Sequence, residues 1–251
     1  MRVQSPSATP LRGLLSDNNP IIRVQHLVRT FGAVTAVNDV TFDVRKGEIV
    51  SLLGRNGVGR STTCKAIMGL VAPEGSVRFR NRELAGLRPD IISRAGIGYV
   101  PEDRQVFPSL TVRQNLELGL RKKGVFGRWT FDDVFRMFPN LDRRQNSPSG
   151  VLSGGEQQML TACRTLMGDP ELILIDEPTE GLAPRLVEQI GELIQEIARR
   201  GIAVLLVEQK LTIALKISQR VCVMGHGKIV FEGTPADLES DAGVRKEWLE
   251  V

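Results

Sequence analysis

The sequence predicts an α/β fold built around a mainly parallel sheet, and two patterns support that prediction. Short, largely apolar runs at residues 49–53, 172–175 and 202–207 are typical of strands covered by helices on both faces. Segments with apolar residues at helical spacing alternate with these runs, most clearly at residues 63–70 and 184–200. At 251 residues, the chain is long enough for one large domain, with or without subdomains.

Two other parts of the chain have different patterns. Residues 21–45 and 77–80 alternate apolar and polar side chains, as half-buried antiparallel strands do. Residues 110–150 predict a helical insertion, in which Thr111 caps one helix and a second helix follows the acidic pair at 132–133. The remaining predicted elements are a strand at 97–100, a helix after residue 155 and a hairpin at 221–230.

The composition, 41% hydrophobic and 25% charged, is that of a soluble globular protein. The net charge of +4 includes no run of five like charges that would point to nucleic acid or a membrane surface. No apolar stretch approaches the roughly 18 residues of a membrane span. Residues 1–20 lack the apolar middle of a signal peptide, so we expect a loose tail there, a second tail at 241–251, and a cytoplasmic protein. Three cysteines without metal-ligand spacing are expected to be buried free thiols: Cys64, Cys163 and Cys222.

A glycine-rich loop follows the first apolar run. The segment GRNGVGRST at residues 54–62 fits the phosphate-binding pattern G-x-x-x-x-G-K-[ST], except that Arg60 replaces the lysine. Glycines let the backbone turn tightly enough to direct several N–H groups at one phosphate, and the following helix N-terminus adds partial positive charge. The hydroxyl of Ser61 would coordinate Mg²⁺. The predicted nucleotide-binding residues are Gly54, Asn56, Gly57, Gly59, Arg60, Ser61 and Thr62.

Two adjacent carboxylates, Asp176 and Glu177, end the apolar run at 172–175. The first can hold Mg²⁺, directly or through water, and the second can orient and polarise a water for attack on a γ-phosphate. Acidic residues are also common in turns at strand ends, so the phosphate loop upstream is what favours a catalytic pair.

A third motif, LSGGEQQ at residues 152–158, places a serine and two glycines at a helix start. Such a helix start can bind an anion, and Ser153 with Glu156 also fits a capping box; the two functions are compatible. Together the three motifs resemble the ATP-binding subunits of ABC transporters over about residues 21–240. The resemblance implies a P-loop NTPase (RecA-like) core, an N-terminal antiparallel β subdomain and an α-helical subdomain at about residues 103–152.

The resemblance also implies roles for single residues. Phe31 lies where the family places an aromatic side chain against adenine, although an isolated Phe is more often a core residue. Glu102 replaces the usual glutamine that contacts magnesium and senses the transmembrane partner, and Gln209 replaces the switch histidine without its ability to change charge. With the GLAP segment at 181–184, these departures look like the LivF-type ATPase of branched-chain amino acid importers, and the related urea and amide importers share much of this pattern.

Membership of that family would make the protein an ATPase that drives uptake of branched-chain amino acids or a similar small polar solute. The implied cofactors are ATP and Mg²⁺. The implied partners are a second ATP-binding subunit (a sister ATPase or a second copy), two transmembrane permease subunits and an extracytoplasmic solute-binding protein, with no nucleic acid. The protein would lie peripherally on the cytoplasmic face of the cell membrane, with residues 106–108 facing the permease.

By the same resemblance, the site residues fall into three sets. Glu177 and Gln209 would be catalytic. The magnesium ligands would be Ser61, Glu102 and Asp176. Ser153, Gly154, Gly155 and Glu156 of one subunit would contact the nucleotide held by the other.

Arg60 leaves two alternatives open. Arginine keeps the positive charge of lysine but spreads it over a planar fork that can still contact a phosphate at two points. A displacement of about 1 Å can cost roughly 100-fold in rate. The site is therefore either a slower ATPase or a regulatory half-site that binds nucleotide with little hydrolysis, and the retained Asp176, Glu177 and LSGGEQQ segment favour the ATPase.

A role in DNA repair or translation is disfavoured, because such family members usually carry a long coiled-coil insertion or two cassettes.

Overall fold

Two sheets organise the protein, and they confirm the predicted α/β class. The structure is a computed structural model that describes residues 19–249. The strands are β1 (Pro20–Phe31), β2 (Val34–Arg45), β3 (Ile49–Leu53), β4 (Glu74–Phe79), β5 (Arg82–Glu83), β6 (Ile97–Val100), β7 (Leu172–Asp176), β8 (Ala203–Glu208), β9 (Arg220–Gly225) and β10 (Lys228–Gly233).

The helices are α1 (Arg60–Ile67), α2 (Pro89–Ala95), α3 (Val112–Gly119), α4 (Phe131–Met137), α5 (Pro139–Arg143), α6 (Gly154–Met167), α7 (Pro184–Arg199), α8 (Leu211–Ile217), α9 (Pro235–Ser240) and α10 (Ala242–Trp248). A 3₁₀ turn covers Ser149–Val151. Between residues 19 and 249, no helix is both long and apolar enough to cross a bilayer.

The six-stranded sheet has the order β10-β9-β3-β8-β7-β6. Its strands β9, β3, β8, β7 and β6 run parallel, and only β10 pairs antiparallel, in the predicted hairpin with β9. Every residue of β3, β7 and β8 is buried, which explains their apolar sequences. Because these three strands are neighbours and parallel, the loops that follow them meet at one edge of the sheet.

The four-stranded antiparallel sheet, in the order β2-β1-β4-β5, covers one face of the larger sheet. Val24 and Val40 from the smaller sheet share a hydrophobic core with Leu52 and Leu205 from the larger one. In this sheet β1 pairs antiparallel with β2, which confirms the strands predicted from the alternating pattern at residues 21–45. The three cysteines are free and buried, as predicted.

The helical subdomain forms much as the sequence indicates. Thr111 caps α3 in a reciprocal capping box with Gln114. The second helix, α4, begins earlier than predicted, because Thr130 is its cap and Asp133 completes the capping box. The acidic pair at 132–133 therefore lies inside the first turn, where negative charge favours the helix dipole.

Two further boundaries differ from the sequence predictions. The helix predicted at 63–70 spans Arg60–Ile67, since Gly59 adopts a left-handed φ of 105° and caps it directly after the loop. The predicted tail at 241–251 contains α10, whose Trp248 packs against the backbone of Gly225 and meets His226 edge-on at 5.2 Å. That helix depends on a tertiary contact and has no periodic pattern of its own. The predicted tail at 1–20 lies outside the described residues apart from its last two, and β1 begins at Pro20.

Candidate nucleotide site

The loops after β3 and β7 meet around a cavity of about 260 Å³ at the carboxyl edge of the parallel sheet. The cavity brings together the phosphate loop and the carboxylates of Glu102 and Glu177, although Glu177 lies more than a hundred residues after the loop in the chain. Its lining residues are Ala36, Asn56, Gly57, Gly59, Arg60, Ser61, Thr62, Glu102, Glu177 and Glu180.

The backbone of the loop is held in a form that requires glycine. Gly54 has a φ of 151° and Gly59 a φ of 105°. A Cβ atom at Gly59 would lie 2.1 Å from the carbonyl oxygen of Ala36, and one at Gly54 would lie 2.6 Å from that of Met224. The loop is thus packed closely between β2 and β9, and α1 starts at its end with its N-terminus towards the cavity.

Arg60 is buried, with 3% of its side chain exposed, and its guanidinium contacts three protein acceptors. Nη1 donates to the carbonyl oxygen of Glu208 at 2.5 Å. Nη2 donates to Asn56 Oδ1 at 3.1 Å and to Glu177 Oε1 at 2.6 Å. The side chain expected to bind phosphate therefore forms a buried ion pair with the candidate catalytic carboxylate.

Glu177 sits at the turn after β7 in a left-handed conformation, φ 45°, which non-glycine residues adopt mainly where surrounding structure or function requires it. Its N–H donates to the carbonyl oxygen of Val207 at 3.0 Å, which ties the turn to β8. Burial raises the pKa of Glu177 to about 7, the positive charge of Arg60 opposes that rise, and Glu180 and Glu102 add to it. A carboxyl group that titrates near neutral pH can accept a proton during catalysis.

Asp176 is buried and held from two sides. Ser61 Oγ donates to its Oδ1 at 2.9 Å, and Tyr99 Oη donates to its Oδ2 at 3.1 Å. Burial raises the pKa of Asp176 above its ordinary value, and these two hydrogen bonds partly offset the rise.

The oxygen atoms of Ser61 and Asp176, in direct contact, match the ligand preference of Mg²⁺. Glu102 lines the same cavity and offers a third carboxylate. Within residues 19–249, no group of three His, Cys, Asp or Glu side chains forms a self-contained metal site. Mg²⁺ in phosphate-transferring sites keeps several waters and takes phosphate ligands, so one or two protein carboxylates fit the metal.

Three further predictions from the sequence concern Phe31, Gln209 and the LSGGEQQ segment, and none of these residues is among those that line the cavity. Phe31, 45% exposed at the end of β1, carries the guanidinium of Arg29 over its ring at 4.5 Å. Gln209 is exposed directly after β8. The LSGGEQQ segment starts α6, where the predicted capping box forms: Ser153 N donates to Glu156 Oε2 at 2.9 Å, and Ser153 Oγ accepts from Glu156 N at 3.4 Å. Gly154 and Gly155 begin that helix and are not among the residues that line the cavity.

Sequence reasoning missed four polar residues around the site. Tyr99 holds Asp176, and Glu180 lines both the main cavity and an adjoining one of about 290 Å³. Arg104 lines that second cavity and donates to the carbonyl oxygen of Glu180 at 3.3 Å. Glu208 is buried beneath Arg60. For Glu208 the sequence offered one signal, which is that a charged residue ends the otherwise apolar strand β8.

The chain matches a family model described as ABC transporter over residues 37–180. It is 43% identical over 225 residues to the high-affinity branched-chain amino acid transport ATP-binding protein BraG of Pseudomonas aeruginosa, covering 87% of this chain and 95% of BraG. It is 30% identical over 251 residues to the corresponding LivG protein of Salmonella typhimurium, covering 92% and 98%. The lipopolysaccharide export ATP-binding protein LptB of Haemophilus influenzae is 32% identical over 234 residues, covering 91% and 97%.

Solved structures show the same architecture. The ADP conformation of an ATP-binding cassette of an ABC transporter superposes with a TM-score of 0.79 at 27% identity, covering 91% of this chain and 98% of that one. A dimeric post-hydrolysis cassette bound to ADP and Pi superposes with a TM-score of 0.74 at 25% identity, covering 85% and 98%.

The buried Arg60–Glu177 pair predicts strong energetic coupling between the two side chains. We expect a double-mutant cycle of Arg60→Met and Glu177→Gln, measured by urea unfolding at pH 8, to give a coupling of about 1–3 kcal/mol in the free energy of unfolding. The reason is that Arg60→Met leaves a buried carboxylate without its cation.

The matched control is the exposed pair Arg88–Asp90, whose side chains are 79% and 39% exposed. Its coupling should stay below about 1 kcal/mol, as for other surface pairs. A buried pair that couples no more strongly than this surface pair would contradict the interpretation.

Proposed function

The chain belongs to the ABC transporter family as an ATPase subunit, and we propose that its own Arg60-containing site hydrolyses ATP at an interface with a second ATP-binding subunit. The observation that carries the proposal is the contact of the phosphate loop with both carboxylates, with Asp176 through Ser61 and with Glu177 through Arg60 at the cavity. The buried strands β3, β7 and β8 fix that meeting, so the positioning on which phosphoryl transfer depends is built into the sheet.

Arg60 would change partners when ATP binds. A γ-phosphate carries more negative charge than one carboxylate and can accept two parallel N–H bonds from a guanidinium. Arg60 would then turn from Glu177 Oε1 towards the phosphate, and Glu177 would be released to accept a proton from the attacking water. In this sequence of events, ATP itself frees the catalytic carboxylate.

Mg²⁺ would neutralise charge that develops on the β- and γ-phosphates. Ser61 and Asp176 would hold it, with Glu102 as the third oxygen donor at the cavity edge. Tyr99 keeps Asp176 oriented towards Ser61 through its own hydrogen bond.

The LSGGEQQ segment would complete the site of a second subunit. Ser153, Gly154 and Gly155 do not line the nucleotide cavity of their own chain, so an anion at the N-terminus of the 14-residue helix α6 would be one that a second subunit holds. A dimer that sandwiches two ATP molecules would satisfy this geometry. Since ATP would bind the closed dimer better than the open one, its binding and hydrolysis would alternate two states of a permease pair.

The similarity to BraG and LivG supports branched-chain amino acids, or a similar small polar solute, as the cargo. The complex would comprise two ATP-binding subunits, two transmembrane permease subunits and an extracytoplasmic solute-binding protein. The protein would sit on the cytoplasmic face of the membrane. ATP-binding subunits do not contact the cargo, so this assignment rests on the relatives.

An open groove of about 960 Å³ lies between α2, β6 and the helical subdomain. We infer that the permease would contact the protein at this groove. Phe107 is 49% exposed there, and the guanidinium of Arg164 lies 5.0 Å from its ring centroid. Leu118 and Arg121 also line the groove. An apolar ring flanked by cations suits a short segment with apolar and acidic side chains.

Glu177→Gln should trap ATP in a stable dimer of ATP-binding subunits. The amide keeps the shape of the carboxylate but cannot accept a proton, so we expect kcat to fall by at least about 100-fold while ATP still binds. ATP retention and size-exclusion chromatography measure the two effects. Glu192→Gln, on the exposed face of α7, serves as the control and should behave as the parent. Hydrolysis by Glu177→Gln at the parental rate would exclude Glu177 as the catalytic base.

Phe107→Ala should weaken assembly with the permease, because it removes an exposed aromatic anchor from the groove. We expect co-purification with the permease subunits and transport to fall together, while ATP binding by the isolated subunit stays intact. Val230→Ala is the control, since Val230 is 37% exposed on β10, at the opposite edge of the sheet. Intact assembly and transport with Phe107→Ala would show that the permease binds elsewhere.

A further inference from the structure

Glu208 is a buried carboxylate between two loops of the nucleotide site. It ends β8, and only 2% of it is exposed. A carboxylate in such a place is costly unless several hydrogen bonds satisfy it. The strand before it is wholly buried and apolar, so packing alone offers no reason for a charged residue at this position.

The two carboxylate oxygens of Glu208 bind different loops. Oε1 accepts from Thr179 N at 3.2 Å and from Thr179 Oγ1 at 2.6 Å, in the loop that follows Glu177. Oε2 accepts from Gln209 N and Lys210 N, both at 3.1 Å, in the loop that follows β8. Lys210 Nζ then donates back to the carbonyl oxygen of Thr179 at 3.0 Å. The result is a closed ring of hydrogen bonds between the two loops.

We propose that Glu208 is a positioning residue that ties Gln209 to the loop after Glu177. The catalytic base Glu177 and the side chain of Gln209 would then move as one unit. The proposal rests on the proposed function, and it takes Gln209, which the family resemblance implies to be catalytic, as a side chain that contacts the γ-phosphate when ATP is bound. The same ring reaches the phosphate loop, because the carbonyl oxygen of Glu208 accepts from Arg60 Nη1.

A glutamine cannot replace Glu208 in this ring. All four hydrogen bonds to the carboxylate are donated by its partners, so both oxygens must be acceptors. An amide has one acceptor oxygen and one NH₂ donor, so either the Thr179 N–H or the N–H groups of Gln209 and Lys210 would lose their acceptor, even where the Thr179 hydroxyl turns to accept from the NH₂. Glu208→Gln is therefore a nearly isosteric change that opens the ring on one side.

The test measures ATP hydrolysis in the assembled transporter, with the catalytic glutamate of any sister subunit replaced. We expect Glu208→Gln to lower kcat about tenfold through misplacement of Gln209, with KM for ATP changed less than about twofold. In a Gln209→Ala background the same substitution should lower kcat no further. Glu192→Gln should leave both parameters at the parental values.

Equal losses of kcat in the two backgrounds, or a parental kcat with only a lowered melting temperature, would overturn the proposal. Thr179→Val, which removes one donor, should lower kcat partly, and Thr179→Ser should restore it. If Thr179→Ser lowered kcat as much as Thr179→Val does, that result would also contradict the ring of hydrogen bonds.

Amide hydrogen exchange separates this proposal from the proposed function. If the parental complex hydrolyses no ATP, the proposed function fails, but the tie itself is still measured by exchange at Thr179, Gln209 and Lys210. We expect Glu208→Gln to speed exchange by roughly tenfold on the side that loses its acceptor, either at Thr179 or at Gln209 and Lys210, as expected when a hydrogen bond worth about 1.4 kcal/mol is lost. Unchanged exchange at all three amides would show that Glu208 does not hold the two loops together.

Discussion

The buried guanidinium of Arg60 is the interaction on which the nucleotide site depends. Its hydrogen bonds join Asn56 in the phosphate loop, Glu177 after β7 and the backbone of Glu208 at the end of β8. These three loops meet only because their strands are parallel neighbours, and the meeting crowds carboxylates together. A central cation lowers the cost of that crowding. The planar fork of arginine reaches three acceptors at once, which the compact ammonium of lysine would do less well.

This arrangement changes what the arginine substitution means for function. Considered alone, Arg60 is an altered phosphate ligand whose longer side chain threatens the geometry of the reaction. In the structure it also covers the carboxylate that would accept a proton, and it does so while burial holds the pKa of that carboxylate near 7. The same side chain can therefore restrain Glu177 before ATP arrives and contact phosphate afterwards.

Much of the fold and part of the site could be predicted from the sequence. The apolar runs of β3, β7 and β8 and the motif at residues 54–62 are local signals, and the capping box at Thr111 is equally local. The Arg60–Glu177 pair joins residues 117 positions apart, and the ring around Glu208 depends on the neighbouring register of β7 and β8. Helix α10 forms against Gly225 through one tryptophan. Such contacts have no periodicity, so sequence patterns could not indicate them.

If Arg60 restrains Glu177 before ATP arrives and contacts phosphate afterwards, the site that contains it is a working ATPase. The direct measurement is ATP turnover by the assembled transporter when the catalytic glutamate of a sister ATP-binding subunit has been replaced by glutamine. We expect hydrolysis to persist in this complex and to disappear when Glu177→Gln is added. Tight ATP binding without turnover in the first complex would contradict it, and would identify this chain as the regulatory half-site instead.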